Sequence, residues 1–256
     1  DRNRSAGSLE SIFGKDSGGS SPLSRRKILL KAVVLAAGKG TRLNRLTETT
    51  PKPMLPVGGE PIVSYLLEQL AKVGVSEIFM NLHHSPDVLR NYCGDGSSWG
   101  FQITYSYEPE LLGTAGAVKN FQKYLEGEPF WVMYGDNYLE CDLYSLWEFH
   151  AERDGVASIA LFEREDTSGA GIAQLDDDDR VTGFVEKPPE GSGAGNLVNG
   201  GLYVLSPDIF SHIPAHGAPD FGYDIFPALL SGGHPIFGKV MPGEVWGSIP
   251  LRDMNT

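Results

Sequence analysis

Two hydrophobic rhythms run along this chain. Residues 28–37 (ILLKAVVLAA) are almost continuously apolar and partly β-branched, the pattern of a strand buried on both faces. A glycine-rich turn follows at 38–41. Beyond it the period changes: Ile62, Val63, Leu66, Leu67, Leu70 and Val73 recur at helical spacing, with Pro61 at the start and Gly74 at the end. Residues 77–82 (EIFMNL) read as the next strand. Strand, helix and strand at this spacing form a βαβ unit and imply a parallel sheet.

The alternation continues with strands over 101–107, 130–135 and 156–162, and helices over 115–125 and 143–152. The rhythm then breaks. Segments 171–175 and 181–186 flank the Asp176–Asp179 run and predict a hairpin. Residues 197–205 return to strand character, and Ser206-Pro207 opens a short helix. The four aspartates lack the ligand spacing of a calcium loop, so a solvated hairpin tip is expected. Trp99, Trp131 and Trp147 fall in apolar patterns and read as core, whereas His83-His84 reads as a solvated pair after a strand. The fold expected is α/β: a Rossmann-like three-layer sandwich around a mixed, mainly parallel sheet, with a small β-hairpin insertion.

Residues 1–27 stand apart. They are rich in Ser, Gly and Arg, lack the apolar core of a signal peptide, and read as a flexible arm or linker ahead of one domain over 28–256. The absence of an initiator Met fits a fragment or the tail of an upstream element. The arm carries six basic and three acidic side chains, so of the net charge of −12 the rest of the chain holds −15. An acidic body excludes a general nucleic-acid binder, and any phosphate must be met by a few local groups. No uninterrupted apolar run is long enough to cross a membrane. Two cysteines, Cys93 and Cys141, form neither a disulfide framework nor a metal cluster, which points to a reducing compartment and a cytoplasmic location.

The strongest chemical signal follows the first strand: Leu35, Ala36, Ala37, Gly38, Lys39, Gly40, Thr41, Arg42 and Leu43. Glycines there let backbone N–H groups approach a phosphate or base at the carboxyl end of a strand. It is not a Walker A loop, because Gly40 follows Lys39, nor a dinucleotide fingerprint, because Leu43 stands where the third glycine belongs. That argues against a small-molecule kinase. Further on, Pro51-Lys52-Pro53 stiffens the backbone around a long cation.

These two segments together resemble the signature of the sugar nucleotidyltransferases, L-A-[AG]-G-x-G-T-R-L followed by P-K-P. Glu108–Ala117 (EPELLGTAGA), Gly135-Asp136, Phe184–Pro188 (FVEKP) and Asn199–Tyr203 (NGGLY) resemble further segments of that family in the same order. The resemblance implies transfer of a nucleoside monophosphate from a nucleoside triphosphate to a sugar-1-phosphate, with Mg²⁺ and with no protein nucleophile. By the same resemblance Arg42 clamps the β- and γ-phosphates, Lys52 sits near the α-phosphate, and Lys187 holds the sugar phosphate. Leu35 to Thr41 with Gly113 and Thr114 bind the nucleotide; Gly171, Glu186 and Asn199 bind the sugar in the hairpin region. Asp136 and Asp253 carry the metal, although Asn255 replaces the usual glycine after Asp253 and the helix expected next is missing at Thr256. EPELLGTAGA looks most like the branch that acts on mannose-1-phosphate or heptose-1-phosphate with GTP. Thymidylyl or uridylyl transfer to glucose-1-phosphate remains open, as do a non-catalytic regulatory relative and a homo-oligomer.

Overall fold

A computed structural model describes residues 30–38, 50–189 and 192–246; everything below refers to these. Residues 1–27, Lys39, Gly40, Thr41, Arg42 and Asp253 lie outside them.

The first strand, β1 (Leu30–Leu35), is the centre of the molecule. Its side chains alternate between two cores. Ala32 and Val34 join one cluster with Val63, Leu66, Leu67 and Leu70, whereas Val33 and Leu35 join a second with Val118, Phe121 and Phe226. A strand with both faces covered by helices must be apolar at every position, which explains its uninterrupted run. The molecule is therefore a three-layer α/β sandwich.

The short ribbon β2 (Pro56–Val57) and β3 (Glu60–Pro61) precedes α1 (Ile62–Lys72). Then come β4 (Val75–Leu82), α2 (Pro86–Cys93), β5 (Gln102–Tyr107), α3 (Gly113–Asn120), α4 (Gln122–Leu125) and β6 (Phe130–Tyr134). The remainder holds β7 (Tyr138–Glu140), α5 (Leu143–Ala151), β8 (Ala157–Glu163), β9 (Gly171–Leu175), β10 (Val181–Glu186), β11 (Leu197–Leu205), α6 (Phe226–Ser231), β12 (Ile236–Val240) and β13 (Glu244–Trp246). The main sheet runs β10-β9-β11-β6-β1-β4-β5, with β8 against β11 and β12. Pairs β1/β4, β1/β6, β4/β5 and β8/β12 are parallel, and β11 joins β6, β8 and β9 antiparallel. The hairpin β9–β10 is antiparallel, as its pattern predicts. Asp176 accepts from the backbone N–H groups of Asp178 and Arg180 at its turn, and Asp179 pairs with Arg153 of the α5 end at 2.8 Å.

Two expectations need correction. The helix expected over 115–125 starts at Gly113 and breaks at Phe121. The Pro219 carbonyl accepts from the N–H groups of Ala115 and Gly116, a partner about a hundred residues away that no local pattern reveals. His83 does lie in the loop after β4 as expected, but it is half-buried rather than fully solvated, its Nδ1 2.8 Å from the Glu108 carbonyl just past β5.

His150 is buried beneath α5, with Nδ1 2.9 Å from Ser158 Oγ and Nε2 3.0 Å from Ser206 Oγ. Burial lowers its pKa from 6.5 to about 4. The unfolded chain takes up this proton near the ordinary value and the folded chain does not, so the contribution is intact above that value. It is lost as pH falls toward 4, by up to about 3 kcal/mol. Melting temperature is therefore expected to drop between pH 7 and pH 5, less steeply in His150→Gln. Identical slopes for the two proteins contradict this assignment.

Candidate active site

The four strands β5-β4-β1-β6 run parallel and end on one edge. The chain goes outward from β1 to β4 and β5, then returns to β6 on the other side of β1. Open α/β sheets bind ligands at such a reversal. Here it opens a cavity of about 270 Å³ lined by residues at or just past those strand ends, among them Gly38, Asn81 of β4, Glu108 and Asp136.

The expected nucleotide residues Leu35, Ala36, Ala37, Gly38, Gly113 and Thr114 all line this cavity. The edge is stitched by one buried chain of hydrogen bonds: Ala36 N–H donates to Asn81 Oδ1 at 2.8 Å, and Asn81 Nδ2 donates to Glu108 Oε1 at 2.9 Å. The second Glu108 oxygen accepts from Leu112 N–H at 3.1 Å. With Glu108 only 2% exposed and its oxygens engaged, it orders the loop as much as it offers a contact.

Gly113 has φ 73°, and a side chain there would strike the Ala218 and Pro219 carbonyls. Glycine is thus required for the start of α3 to lie against the 218–220 segment. Asp220 follows, heading a single π-helical turn, Phe221–Ile225. Its carboxylate accepts from Thr114 Oγ1 at 2.8 Å and from Gly222 N–H at 2.8 Å. Isolated π-turns of this kind are frequent at functional sites. Asn81 and Asp220 line the cavity but lie outside the motif-based residue set. A polar residue inside the apolar run EIFMNL was the one signal for Asn81.

Beyond Gly135, packed so closely on β1 that its N–H donates to the Leu35 carbonyl, Asp136 faces the cavity. Lys52, on a 3-10 turn between Pro51 and Pro53, places Nζ 2.7 Å from Asp136 Oδ2. Two segments 84 residues apart in sequence therefore meet as an opposite-charge pair at the switch point.

Gly171, Glu186, Lys187 and Asn199 gather on the neighbouring side. Glu186 is mostly covered, its carboxylate seated against Gly171 and Gly222, where any Cβ would overlap it. Burial raises its pKa; the Lys187 ammonium works against that, and Asp220 adds to it. Lys187 Nζ is 3.4 Å from Glu186 Oε1 and 5.3 Å above the exposed Tyr223 ring. Its backbone has φ 47°, a left-handed conformation costing a β-carbon residue about 1–2 kcal/mol, and its N–H donates to the Ala170 carbonyl. Asn199 sits at an irregularity in β11, where its Oδ1 accepts from Gly201 N–H at 2.9 Å.

These contacts yield one prediction. In Gly222→Ala the added methyl meets the mobile end of Glu186 rather than backbone, so the carboxylate shifts while the fold persists. On the role that the family resemblance implies for Glu186, the Michaelis constant for a sugar phosphate is expected to rise roughly tenfold, with melting within a few degrees, because a misplaced charged hydrogen-bond partner is worth about 1.5–3 kcal/mol. An unchanged constant in steady-state assays contradicts it.

Among the described residues no group of three or more His, Cys, Asp or Glu side chains forms a metal cage. Magnesium held by one or two carboxylates with phosphate oxygens and water fits this donor set, with Asp136 as the described carboxylate. The thiols of Cys93 and Cys141 are unpaired, and burial pushes both up to about 12, so neither is an ionised nucleophile at neutral pH.

The fold and cavity define a Rossmann-like α/β protein with its binding site at the switch point of the sheet. The nucleotidyl transferase family model matches residues 31–249, and the chain belongs to that family. It is 33% identical over 237 residues to a UTP–glucose-1-phosphate uridylyltransferase of Synechocystis sp., covering 86% of this chain. It is 35% identical over 229 residues to a mannose-1-phosphate guanylyltransferase of Mycobacterium tuberculosis, covering 88% of this chain. The chain spans 61% of the length of each of these two relatives. Among solved structures, HddC from Yersinia pseudotuberculosis in complex with GMP-PN superposes with a TM-score of 0.72 at 30% identity, covering 87% of this chain and 95% of that one.

Proposed function

We propose that this protein transfers a nucleoside monophosphate from a nucleoside triphosphate to a sugar-1-phosphate, releasing pyrophosphate, and that the preferred pair is GTP with mannose-1-phosphate or a heptose-1-phosphate. The observation that carries the reading is the Lys52–Asp136 pair at the switch-point cavity, with the Glu186–Lys187 pair on the neighbouring side. Asp136 lines the cavity, whereas Glu186 and Lys187 stand outside its lining, near Asp220, which does line it; two charged pairs on neighbouring sides suit a reaction that joins two phosphate-bearing substrates.

A sugar-phosphate oxygen attacks the α-phosphorus, a new P–O bond forms, and the bond to pyrophosphate breaks with its electron pair leaving on pyrophosphate. Such a transfer needs alignment and neutralisation of spreading charge rather than a protein nucleophile. Backbone groups of Leu35 to Gly38 and Gly113 would hold the base and ribose, with Lys39, Gly40 and Thr41 continuing that loop. Lys52 would sit at the α-phosphate, and Arg42 would clamp the outer phosphates. Glu186, Asn199 and Gly171 would hold the sugar hydroxyls, with Lys187 on its phosphate. Asp136 and Asp253 would hold magnesium, which when bound neutralises phosphate charge.

Two observations favour a second reading for the base. The similarity to a uridylyltransferase is about as strong as that to a guanylyltransferase, and the cavity contacts to the base would come largely from backbone. Thymidylyl or uridylyl transfer to glucose-1-phosphate is therefore the alternative. A regulatory relative is disfavoured by the retained charged groups Lys52, Asp136, Glu186 and Lys187. The test is a matrix of nucleoside triphosphates against sugar-1-phosphates with Mg²⁺, read by pyrophosphate release. Turnover is expected with GTP and mannose-1-phosphate or a heptose-1-phosphate; no turnover with any pair rejects the enzyme reading.

No described helix is long and apolar enough to cross a membrane. With both thiols unpaired, we assign the protein to the cytoplasm, and recovery in a membrane or secreted fraction contradicts that. We also read residues 1–27 as an arm outside the catalytic body over 28–256. Its deletion is expected to leave melting temperature and turnover unchanged; a large loss of either shows that it packs on the body or on a second copy.

A further inference from the structure

Two polar side chains of α1 are spent on neither solvent nor their own helix. The helix buries Ile62, Val63, Leu66, Leu67 and Leu70 in the core, and Tyr65 and Gln69, four residues apart and half-buried, share the face beside them. Tyr65 donates its hydroxyl proton to the Val57 carbonyl at 2.7 Å. Gln69 donates from Nε2 to the Leu139 carbonyl. Val57 belongs to the ribbon that follows the Lys52 turn, and Leu139 to the strand that follows Asp136. One face of α1 therefore grips both chain segments that meet at the Lys52–Asp136 contact of 2.7 Å.

Neither segment has much pairing of its own. In the ribbon β2–β3, Pro56 stands opposite Pro61, so that pair has no N–H to donate. The ribbon turns through Gly58 and Gly59, both at positive φ. A side chain at Gly58 would begin 3.1 Å from the Tyr65 oxygen, so the turn is packed onto that hydroxyl. At the base of the ribbon Leu55 N–H donates to the Lys52 carbonyl and Ile62 N–H to the Leu55 carbonyl, both at 3.0 Å, which carries the ribbon's position back to Lys52. Strand β7 lies outside the main sheet and pairs with β13. The Tyr65 ring also meets the Tyr138 ring edge-on at 5.1 Å, so one side chain touches the ribbon and β7 together.

We propose that Tyr65 is a positioning residue: its hydroxyl, with the Gln69 amide one turn on, fixes the spacing of Lys52 and Asp136 at the edge of the cavity. This rests on the reading of that pair as acting at the α-phosphate. Alignment is what such a transfer needs from the protein, and a small misplacement of a charged group is costly there. A loose ribbon lets the Lys52 ammonium leave Asp136, and the carboxylate is then freer to meet a cation.

Tyr65→Phe keeps the ring against Tyr138 and removes the hydroxyl. Turnover is expected to fall about fivefold, with both Michaelis constants within about twofold of the unaltered protein. Mn²⁺, followed by paramagnetic resonance on the free protein, is expected to bind about twofold to threefold more tightly, because a partly exposed ion pair has been weakened. In a Lys52→Ala background the same change should move neither quantity, since the hydroxyl acts through that ammonium. Gln69→Met frees β7 instead of the ribbon and should lower turnover by a similar factor at unchanged Michaelis constants. Unchanged Mn²⁺ affinity in Tyr65→Phe, whatever happens to its melting temperature, marks the hydroxyl as structural only and overturns the proposal. An equal loss of turnover with and without Lys52 overturns it too. Absence of turnover in the unaltered protein with every substrate pair rejects the enzyme reading instead, and the Mn²⁺ comparison still decides whether Tyr65 sets the spacing.

Discussion

Asp136→Asn is expected to lower pyrophosphate release by about 100- to 1,000-fold while the fold stays intact, the largest effect of any single change considered. Asp136 follows β6 beside Gly135, half-buried and facing the cavity, and its carboxylate meets Lys52 Nζ at 2.7 Å. The amide keeps the shape and loses the charge. Its neutral oxygen attracts a divalent cation far less and meets the lysine ammonium without an opposite charge. Both losses act where negative charge builds during transfer, so turnover falls rather than substrate affinity alone. Lys52 and Asp136 are partly exposed, so their mutual attraction is worth little to the fold, and the melting temperature should move by only a few degrees. The variant is checked in two ways: steady-state turnover at saturating Mg²⁺, and Mn²⁺ binding by paramagnetic resonance with the nucleotide present. Near-normal turnover, or undiminished Mn²⁺ affinity, refutes the role given to Asp136.

Much of this arrangement was legible because local chemistry decided it. A strand with both faces buried cannot hide among amphipathic segments, so β1 and β6 stood out. The hairpin β9–β10 and strand β11 matched their expected bounds because period-two alternation and a polar turn are short-range signals. Segments governed by distant partners were not legible. The eight residues of α2 (PDVLRNYC) bury only Leu89 and Cys93, too few for a visible helical stripe. The bounds of α3 depend on the Pro219 carbonyl. Asp220 is one acidic residue among many in the sequence, and its importance lies in Thr114, 106 residues away. Motifs therefore revealed residues whose backbone geometry is unusual, such as Gly113 and Lys187. They missed Tyr65, Asn81 and Asp220, ordinary residues made significant by what the fold brings against them.

The two lysines should separate kinetically. Lys52 is aimed by a proline-flanked turn at the carboxylate that faces the cavity, so its charge lies where the α-phosphorus is expected. Lys187 lies on the far side of Glu186, held by a strained backbone and by the Tyr223 ring, where the sugar phosphate is expected. An interaction present equally in ground and transition states raises the Michaelis constant when lost, and one realised only in the transition state lowers turnover. Lys187→Ala is thus expected to raise the constant for the sugar phosphate about tenfold to a hundredfold, with a smaller change in turnover and none in the constant for the triphosphate. Lys52→Ala is expected to lower turnover by a similar factor, with both constants changed far less. Lys52→Ala also leaves Asp136 without that ammonium, so Mn²⁺ should bind the free protein more tightly than before. Lys187→Ala should not alter Mn²⁺ affinity. Identical kinetic changes in the two variants, or an effect of Lys187→Ala confined to the triphosphate, show that the two subsites have been assigned to the wrong substrates.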